Sequence, residues 1–287
     1  MEQADIVKEQ CRSCGVELLG KFCHKCGEKK FDKSDLSFKK IVMQGVDVFT
    51  HFDSKILTSL RLLITKPGFL AKEYCEGAKI KYAKPLQLFF LVNVIYFLML
   101  ALGFFNTFNT PLKIHMNNTA HSGLASSMVE HRLADKNITL EEFEKKFDAK
   151  VNVLSRTLII LIVPIFAFAL YLLFINKRKL YAENFIFSLN FLSWLLLYKI
   201  LFESLLVLII VSLGKAFNVY FQTILSDGVM SIIFFTAMGI YSFIAVQRFY
   251  GESRLASFVK ALIIPFIFLY TLFAYRFILF LVTFYTT

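Results

Sequence analysis

The sequence predicts an all-α integral membrane protein with a small N-terminal zinc ribbon, and three observations predict it. Of 287 residues, 57% are hydrophobic and only 18% charged, with a mean hydropathy of +0.60; soluble domains carry roughly 45–50% apolar and ~25% charged residues. Five apolar runs reach the roughly 17–25 residues that a helical span requires. Four of the five cysteines stand as two close C-x2-C pairs near the start of the chain. Together these exclude a soluble globule and a disulfide-stapled secreted scaffold. The chain divides into a ribbon at 1–32, a stretch of amphipathic cytoplasmic helices with a basic juxtamembrane segment at 33–85, and a five-span domain at 86–287 with an extracytoplasmic loop at 106–156.

The ribbon rests on Cys11, Cys14, Cys23 and Cys26, in the pattern C-x2-C-x8-C-x2-C, with Gly15 and Gly27 directly after each pair. A two-residue gap lets one tight turn place both sulfurs on one ion, and two such turns complete a tetrahedral set with Zn–S near 2.3 Å. The expectation is structural Zn2+, because four thiolates leave no open coordination position for catalysis. His24 lies inside the second knuckle and reads as a solvated bystander. Lys21, Phe22, Lys25, Lys29 and Lys30 read as a solvated face rather than a nucleic-acid surface. The opening MEQADIVKEQ has neither a basic n-region nor an apolar h-region, so no cleavable signal peptide is expected.

Residues 36–64 place Phe38, Ile41, Val42, Phe49, Phe52, Ile56, Leu60 and Leu63 at near-helical intervals, which predicts one or two amphipathic helices, with Asp53 as N-cap of the second. Two placements fit: along the cytoplasmic leaflet, where Lys39, Lys40, Lys55 and Arg61 meet anionic lipid, or against the membrane bundle. Pro67-Gly68 ends this stretch. The next segment interleaves Lys72, Lys79, Lys81 and Lys84 with Tyr74 and Tyr82, a composition suited to a membrane surface and to lipid headgroups. Cys75 reads as a buried free thiol, with juxtamembrane palmitoylation as the sharper alternative.

The four-cysteine element, the segment from Asp53 through Thr58 to Pro67-Gly68, and the motif of Tyr74, Gly77, Lys79, Tyr82 and Pro85 resemble a bacterial membrane family known only as a domain of unknown function with an N-terminal zinc ribbon. The resemblance covers residues 11–100 in detail and the remainder in architecture. It implies the multi-span fold and the zinc, and no substrate. Where that family often has arginine in an EYxxGxR element, this chain has Ala78-Lys79. The charge is kept without the bidentate fork.

The spans are expected at 86–105, 157–175, 184–213, 228–247 and 258–285. Lys177, Arg178 and Lys179 in one loop, and Arg248 and Arg254 in another, assign those loops to the cytoplasm. The N-terminus is then cytoplasmic and the C-terminus extracytoplasmic, in a bacterial inner membrane. In the outer loop, Thr139-Leu140-Glu141-Glu142 opens a helix to about residue 150. Pro164 and Pro265 predict kinks. Lys199 and Glu203, at i and i+4 on one face, and Arg276 are charges inside spans; they form either a polar site together with Asn190 or a neutralising pair with a snorkelling arginine. His51, His115, His121 and His131 are scattered.

No Ser/His/Asp set, H-E-x-x-H, P-loop or dinucleotide fingerprint appears. The expected function is a non-enzymatic scaffold or regulatory protein whose ribbon docks a cytosolic or membrane protein partner. The alternative is a transporter or lipid-handling protein using Lys199, Glu203 and Arg276. Membrane lipid is an expected partner under both, and nucleic acid is not.

Overall fold

The computed structural model describes residues 9–32, 54–101, 108–217 and 227–287, without the side chains at 54, 100–101, 203–204, 213–217 and 227. The first amphipathic helix expected upstream of Asp53, Asp53 itself and His51 lie outside the described residues. The described chain forms α1 (Ser54–Thr65), α2 (Phe69–Cys75), α3 (Pro85–Ala101), α4 (Leu112–Asn117), α5 (Ser122–Lys136), α6 (Leu140–Leu158), α7 (Ile162–Leu173), α8 (Tyr181–Tyr198), α9 (Ser204–Phe217), α10 (Asp227–Tyr250) and α11 (Arg254–Thr286). Among the described residues there is no β-strand, and only two isolated antiparallel bridges occur, both in the ribbon.

The core is built around α8. Its sequence is apolar on every side, which suits a helix enclosed by others, and Ala182 and every residue from Asn184 to Leu197 are buried. Helices α3, α7 and α2 pack on it. Helix α10 joins through Phe187 against Phe249 at 5.0 Å and through Trp194 stacked on Tyr241 at 3.8 Å. Helix α11 packs on α10, α7 and α6. Aromatic pairs of this kind contribute about 0.5–1.5 kcal/mol each beyond area burial. The abundance of phenylalanine thus becomes interlocking between helices.

Among the described residues, four helices are long and apolar enough to cross a membrane: Leu140–Leu173, Tyr181–Ser212, Gly228–Tyr250 and Arg254–Thr286. The remaining expected span, 86–105, appears as the 17-residue α3; its described apolar part, Pro85–Met99, is shorter than the other four, and residues 102–107 are not described. A further difference lies at residue 150, where the outer helix was expected to stop. Thr139 does cap α6, its hydroxyl accepting from the Glu142 amide at 3.3 Å, but the helix then runs unbroken into the span. It tightens to a 3-10 turn at Ile159–Leu161, just ahead of Pro164, whose ring clashes with the carbonyl four residues back. The helical cap of residues 108–158 is therefore continuous with the membrane domain. It sits on the end of α11 through Phe147–Phe280 and Phe143–Phe284, both at 6.0 Å.

Candidate metal centre and its seat on the membrane-proximal hairpin

The two C-x-x-C-G units fold alike. Cys11 N–H donates to the Val16 carbonyl and Cys23 N–H to the Glu28 carbonyl, each at 2.8 Å. The Gly15 and Gly27 amides return to the carbonyls of Cys11 and Cys23 at 2.8 and 2.9 Å. Both glycines have positive φ, 76° and 73°, which turns each knuckle inward at no Cβ cost.

This brings the four sulfurs within 4.8 Å of one another, with Cys11–Cys26 and Cys14–Cys23 at 3.5 Å. A disulfide needs about 2.05 Å, whereas the edge of a tetrahedron with 2.3 Å metal–sulfur bonds is about 3.8 Å. All four cysteines are free thiols here. The Cys26 backbone amide pulls Cys23 down to about 6. Cys26 moves up to about 12: the Glu28 amide lowers it, but burial and three neighbouring sulfurs outweigh that. Four such groups cannot all ionise without a cation between them, and a divalent ion supplies that charge. The set can hold a metal ion. His24 is exposed, outside the sulfur cluster.

The second knuckle also carries Glu28, which is 5% exposed. Its Oε2 accepts from Ser13 Oγ at 2.6 Å and from the backbone amide of Ile80 at 2.8 Å. One carboxylate therefore ties both knuckles to the segment that follows α2. The seat continues through Phe31 on Gly77: a Cβ at Gly77 would stand 2.8 Å from Phe31 Cβ. Lys79 lies 5.9 Å from the Phe31 ring and 5.8 Å from the Tyr74 ring, and Arg12 reaches Glu76 at 4.0 Å. A cavity of about 260 Å³ remains between ribbon and hairpin, with Cys11, Arg12, Phe31 and Cys75 in its wall. Tyr74 and Cys75 are both buried; burial pushes the Cys75 thiol well up and the Tyr74 hydroxyl up to about 12.

The hairpin is in turn set into the bundle. Ile56, Ser59 and Leu63 of α1 are buried, and Ser59 Oγ accepts from the Ala83 amide at 2.9 Å, closing α1 against the segment leading to α3. Tyr241 Oη donates to the Leu63 carbonyl at 3.2 Å and Arg248 to the Pro67 carbonyl at 2.6 Å. Of the two placements open for this amphipathic helix, α1 takes the one against the bundle. At the same end, Glu252 between α10 and α11 is held by Lys177 at 3.2 Å and by Lys260. Burial raises its carboxyl, but those two ammonium groups outweigh it and leave it below the usual range.

The expected headgroup lysines divide. Lys72 reaches Glu76 at 3.8 Å and Lys79 serves the ribbon seat. Lys81 is exposed beside the Tyr82 ring at 5.4 Å, and Lys84 is half-buried. Within the span, Lys199 to Glu203 is a single π-helical turn, a wider coil than the α-geometry assumed for an i, i+4 pair. Lys199 Nζ lies 4.8 Å from the Phe234 ring. Asn190 donates back to the Ile186 carbonyl at 3.0 Å.

Beneath the cap formed by residues 108–158 lies a histidine pair that feels the charge of Arg276. His115, fully buried, holds Nδ1 3.0 Å from His121 Nε2. Both rings pack on Phe280, at 5.2 and 5.7 Å. Burial, helped by the charge of Arg276, lowers both imidazoles, His115 to about 3. This pair was not legible in the sequence: a six-residue gap fits no single element, and the turn between α4 and α5 brings the two rings together.

The fold and the centre define a helical, membrane-embedded protein with a four-cysteine cluster fit for a metal ion. Residues 53–97 match a family described as "Protein of unknown function (DUF3667)". That segment comprises α1, α2 and most of α3, the hairpin on which the ribbon is seated. No curated protein and no solved structure matches the chain.

Proposed function

We propose that the chain is a non-enzymatic scaffold or regulatory protein of a bacterial inner membrane, with structural zinc in its four-cysteine ribbon and a protein partner on the ribbon's free face. The carrying observation is Glu28, which links the metal knuckles to the matched hairpin. A partner bound to the ribbon is thereby mechanically joined to the membrane domain. The free face supplies the grip: Leu19 and Phe22 are 80% and 62% exposed beside exposed Lys21 and Lys25, an apolar pair with cations around it. Such a face suits a partner segment that is apolar at its centre and acidic at its rim. Basic loops at 176–183 and 248–257 support a cytoplasmic ribbon end and an extracytoplasmic C-terminus.

The test is in-cell crosslinking followed by mild-detergent purification of wild type, a Cys23→Ser/Cys26→Ser variant and a Leu19→Ser/Phe22→Ser variant, matched for membrane abundance. Loss of the same protein from both variants, with metal retained only in the second, supports the reading. A co-purifying set that neither variant alters overturns it. A transporter or lipid-handling role is favoured by one observation, the π-helical turn carrying Lys199 and Glu203 inside a span, since such turns cluster at functional sites. Under it, Glu203→Gln abolishes transport or lipid co-purification; an unchanged signal rejects it.

A further inference from the structure

A groove of about 840 Å³ runs between α10 and α11. Its floor is Gly239, Ala261 and Pro265, and its walls include Ile240, Ile244, Phe258 and Leu262. The walls are exposed, Ile240 at 60% and Leu262 at 55%, so the groove opens outward from the bundle rather than into it. Two residues make it concave. Gly239 presents no side chain, and a Cβ built there meets nothing within 4 Å. Pro265 cannot donate to the helical ladder and crowds the Ala261 carbonyl.

The groove's lining starts at Ile244 and Phe258, about one helical turn along α11 from Arg254 and the loop 251–253. From Phe258 to Leu269 it follows about 17 Å of helix axis, close to the ~15 Å of hydrocarbon in one leaflet. Arg254 opens α11 at this mouth. Residues 254, 258, 262, 265 and 269 recur at intervals of three and four and so share one stripe. Lys177 and Lys260, the neighbouring cations at this end, are already held by Glu252. Arg254 is exposed, and among the described residues it lies within 4.0 Å of no carboxylate. An apolar channel one leaflet deep, with an uncommitted guanidinium at the headgroup level, has the shape and charge of one ligand class.

We infer that the α10–α11 groove is a binding site for an anionic phospholipid of the leaflet on the ribbon side. An acyl chain lies along Gly239 and Pro265, and the phosphodiester group is held at Arg254. The guanidinium fork matches phosphate oxygens bidentately, and the first-turn amides of α11 carry the positive end of the helix dipole toward the same layer.

The experiment uses the full chain, purified in mild detergent, delipidated, and re-equilibrated with equal amounts of phosphatidylglycerol and phosphatidylethanolamine of identical acyl composition. Bound lipid is read by mass spectrometry of the intact complex. Wild type should retain phosphatidylglycerol over phosphatidylethanolamine several-fold, because the two share the phosphodiester and differ in the ethanolamine ammonium, which the guanidinium repels. Arg254→Gln should bring that ratio near one while total retained lipid persists. Gly239→Leu has room for its side chain and should fill the groove, lowering retention of both lipids with the Trp194 emission of the folded chain unchanged. Undiminished retention in Gly239→Leu overturns the acyl site, and an undiminished ratio in Arg254→Gln overturns the headgroup site. A dimer in wild type that Gly239→Leu abolishes, without lipid loss, assigns the groove to a second copy of the chain instead.

Discussion

Replacing Glu28 by alanine should undock the ribbon from the hairpin while leaving the metal centre whole. The carboxylate accepts two hydrogen bonds on one oxygen, from Ser13 Oγ at 2.6 Å and from Ile80 N–H at 2.8 Å, and only the second crosses between ribbon and hairpin. A hydrogen bond to a charged group contributes about 1.5–3 kcal/mol, so docking should weaken by about ten- to a hundredfold or more. The knuckle itself is closed by the Glu28 carbonyl accepting from Cys23 N–H, which alanine retains. Metal content should therefore remain that of wild type. The assay is hydrogen exchange at the Ile80 amide in detergent or nanodiscs, with bound metal measured on the same sample. Ile80 protection should fall in Glu28→Ala, and should fall equally when a chelator strips metal from wild type, because the turn that aims Glu28 then loosens. Ser13→Ala, which removes only the intra-ribbon bond, should have a smaller effect. If Ile80 stays as protected in fully metallated Glu28→Ala as in wild type, the ribbon does not depend on this carboxylate for its seat.

Gly68 has φ 72° and its missing Cβ would fall 2.7 Å from the Ala245 carbonyl oxygen; Gly68→Ala should lower stability by at least about 1–3 kcal/mol, seen as a lower thermal-aggregation temperature, whereas Gly239→Ala should not. Tyr241→Phe keeps the ring stacked on Trp194 but deletes the bond to the Leu63 carbonyl. It should cost about 0.5–1.5 kcal/mol with unchanged native fluorescence from Trp194, the only tryptophan, and an unchanged melting temperature would refute the contact. The cap of residues 108–158 should weaken in acid. Burial holds His115 near 3 against an ordinary 6.5, so the unfolded cap binds more protons between those limits. Stability is then complete above about pH 6.5 and declines toward pH 3, at up to ~1.4 kcal/mol per pH unit for each such histidine. Limited proteolysis of residues 108–136 across that range checks it; His115→Phe should flatten the dependence, and a profile unchanged by that substitution would exclude the pair as its source.

What was legible in the sequence was what depends on period and local spacing. The knuckles followed from C-x-x-C-G, the cap of α6 from Thr139 ahead of Glu142, and the α8, α10 and α11 spans from apolar runs. The contacts that build the site are another matter. Glu28 was one acidic residue among many in a basic, solvated-looking stretch, and its partner Ile80 lies 52 positions away, joined through a backbone amide that has no side-chain signature. Phe31 against Gly77 is similarly a fact of close approach. Lys199–Glu203 forms a π-helical turn, a local widening that the i, i+4 spacing does not announce. The influence of Arg276 on His115 and His121 was illegible too, because His115 lies on the six-residue α4 and His121 in the turn that follows it.

The position of the matched hairpin gives the proposed regulatory reading a quantitative bound. Its residues stand between the ribbon and the central helix: Ile80 on Glu28, Ala83 on Ser59, Leu63 on Tyr241, and Tyr241 on Trp194. A structural zinc site stabilises its own fold by about 10–16 kcal/mol, but little of that can reach the membrane domain. Only the difference in docking free energy between the metallated and stripped ribbon is transmitted, since a ligand shifts an equilibrium by no more than its differential affinity for the two states. The Glu28 contact sets that difference at about 1.5–3 kcal/mol. Metal loss or partner capture at the ribbon can thus change the seating of α1 and α2 by about ten- to a hundredfold, the ordinary range of an allosteric coupling, while the sulfur cluster stays far too stable to exchange with each event. Reciprocity then requires that anything fixing the hairpin in the bundle, including the Arg248 and Tyr241 contacts, tightens the ribbon by the same factor. Tyr241→Phe should therefore lower Ile80 protection too, at a residue it never touches.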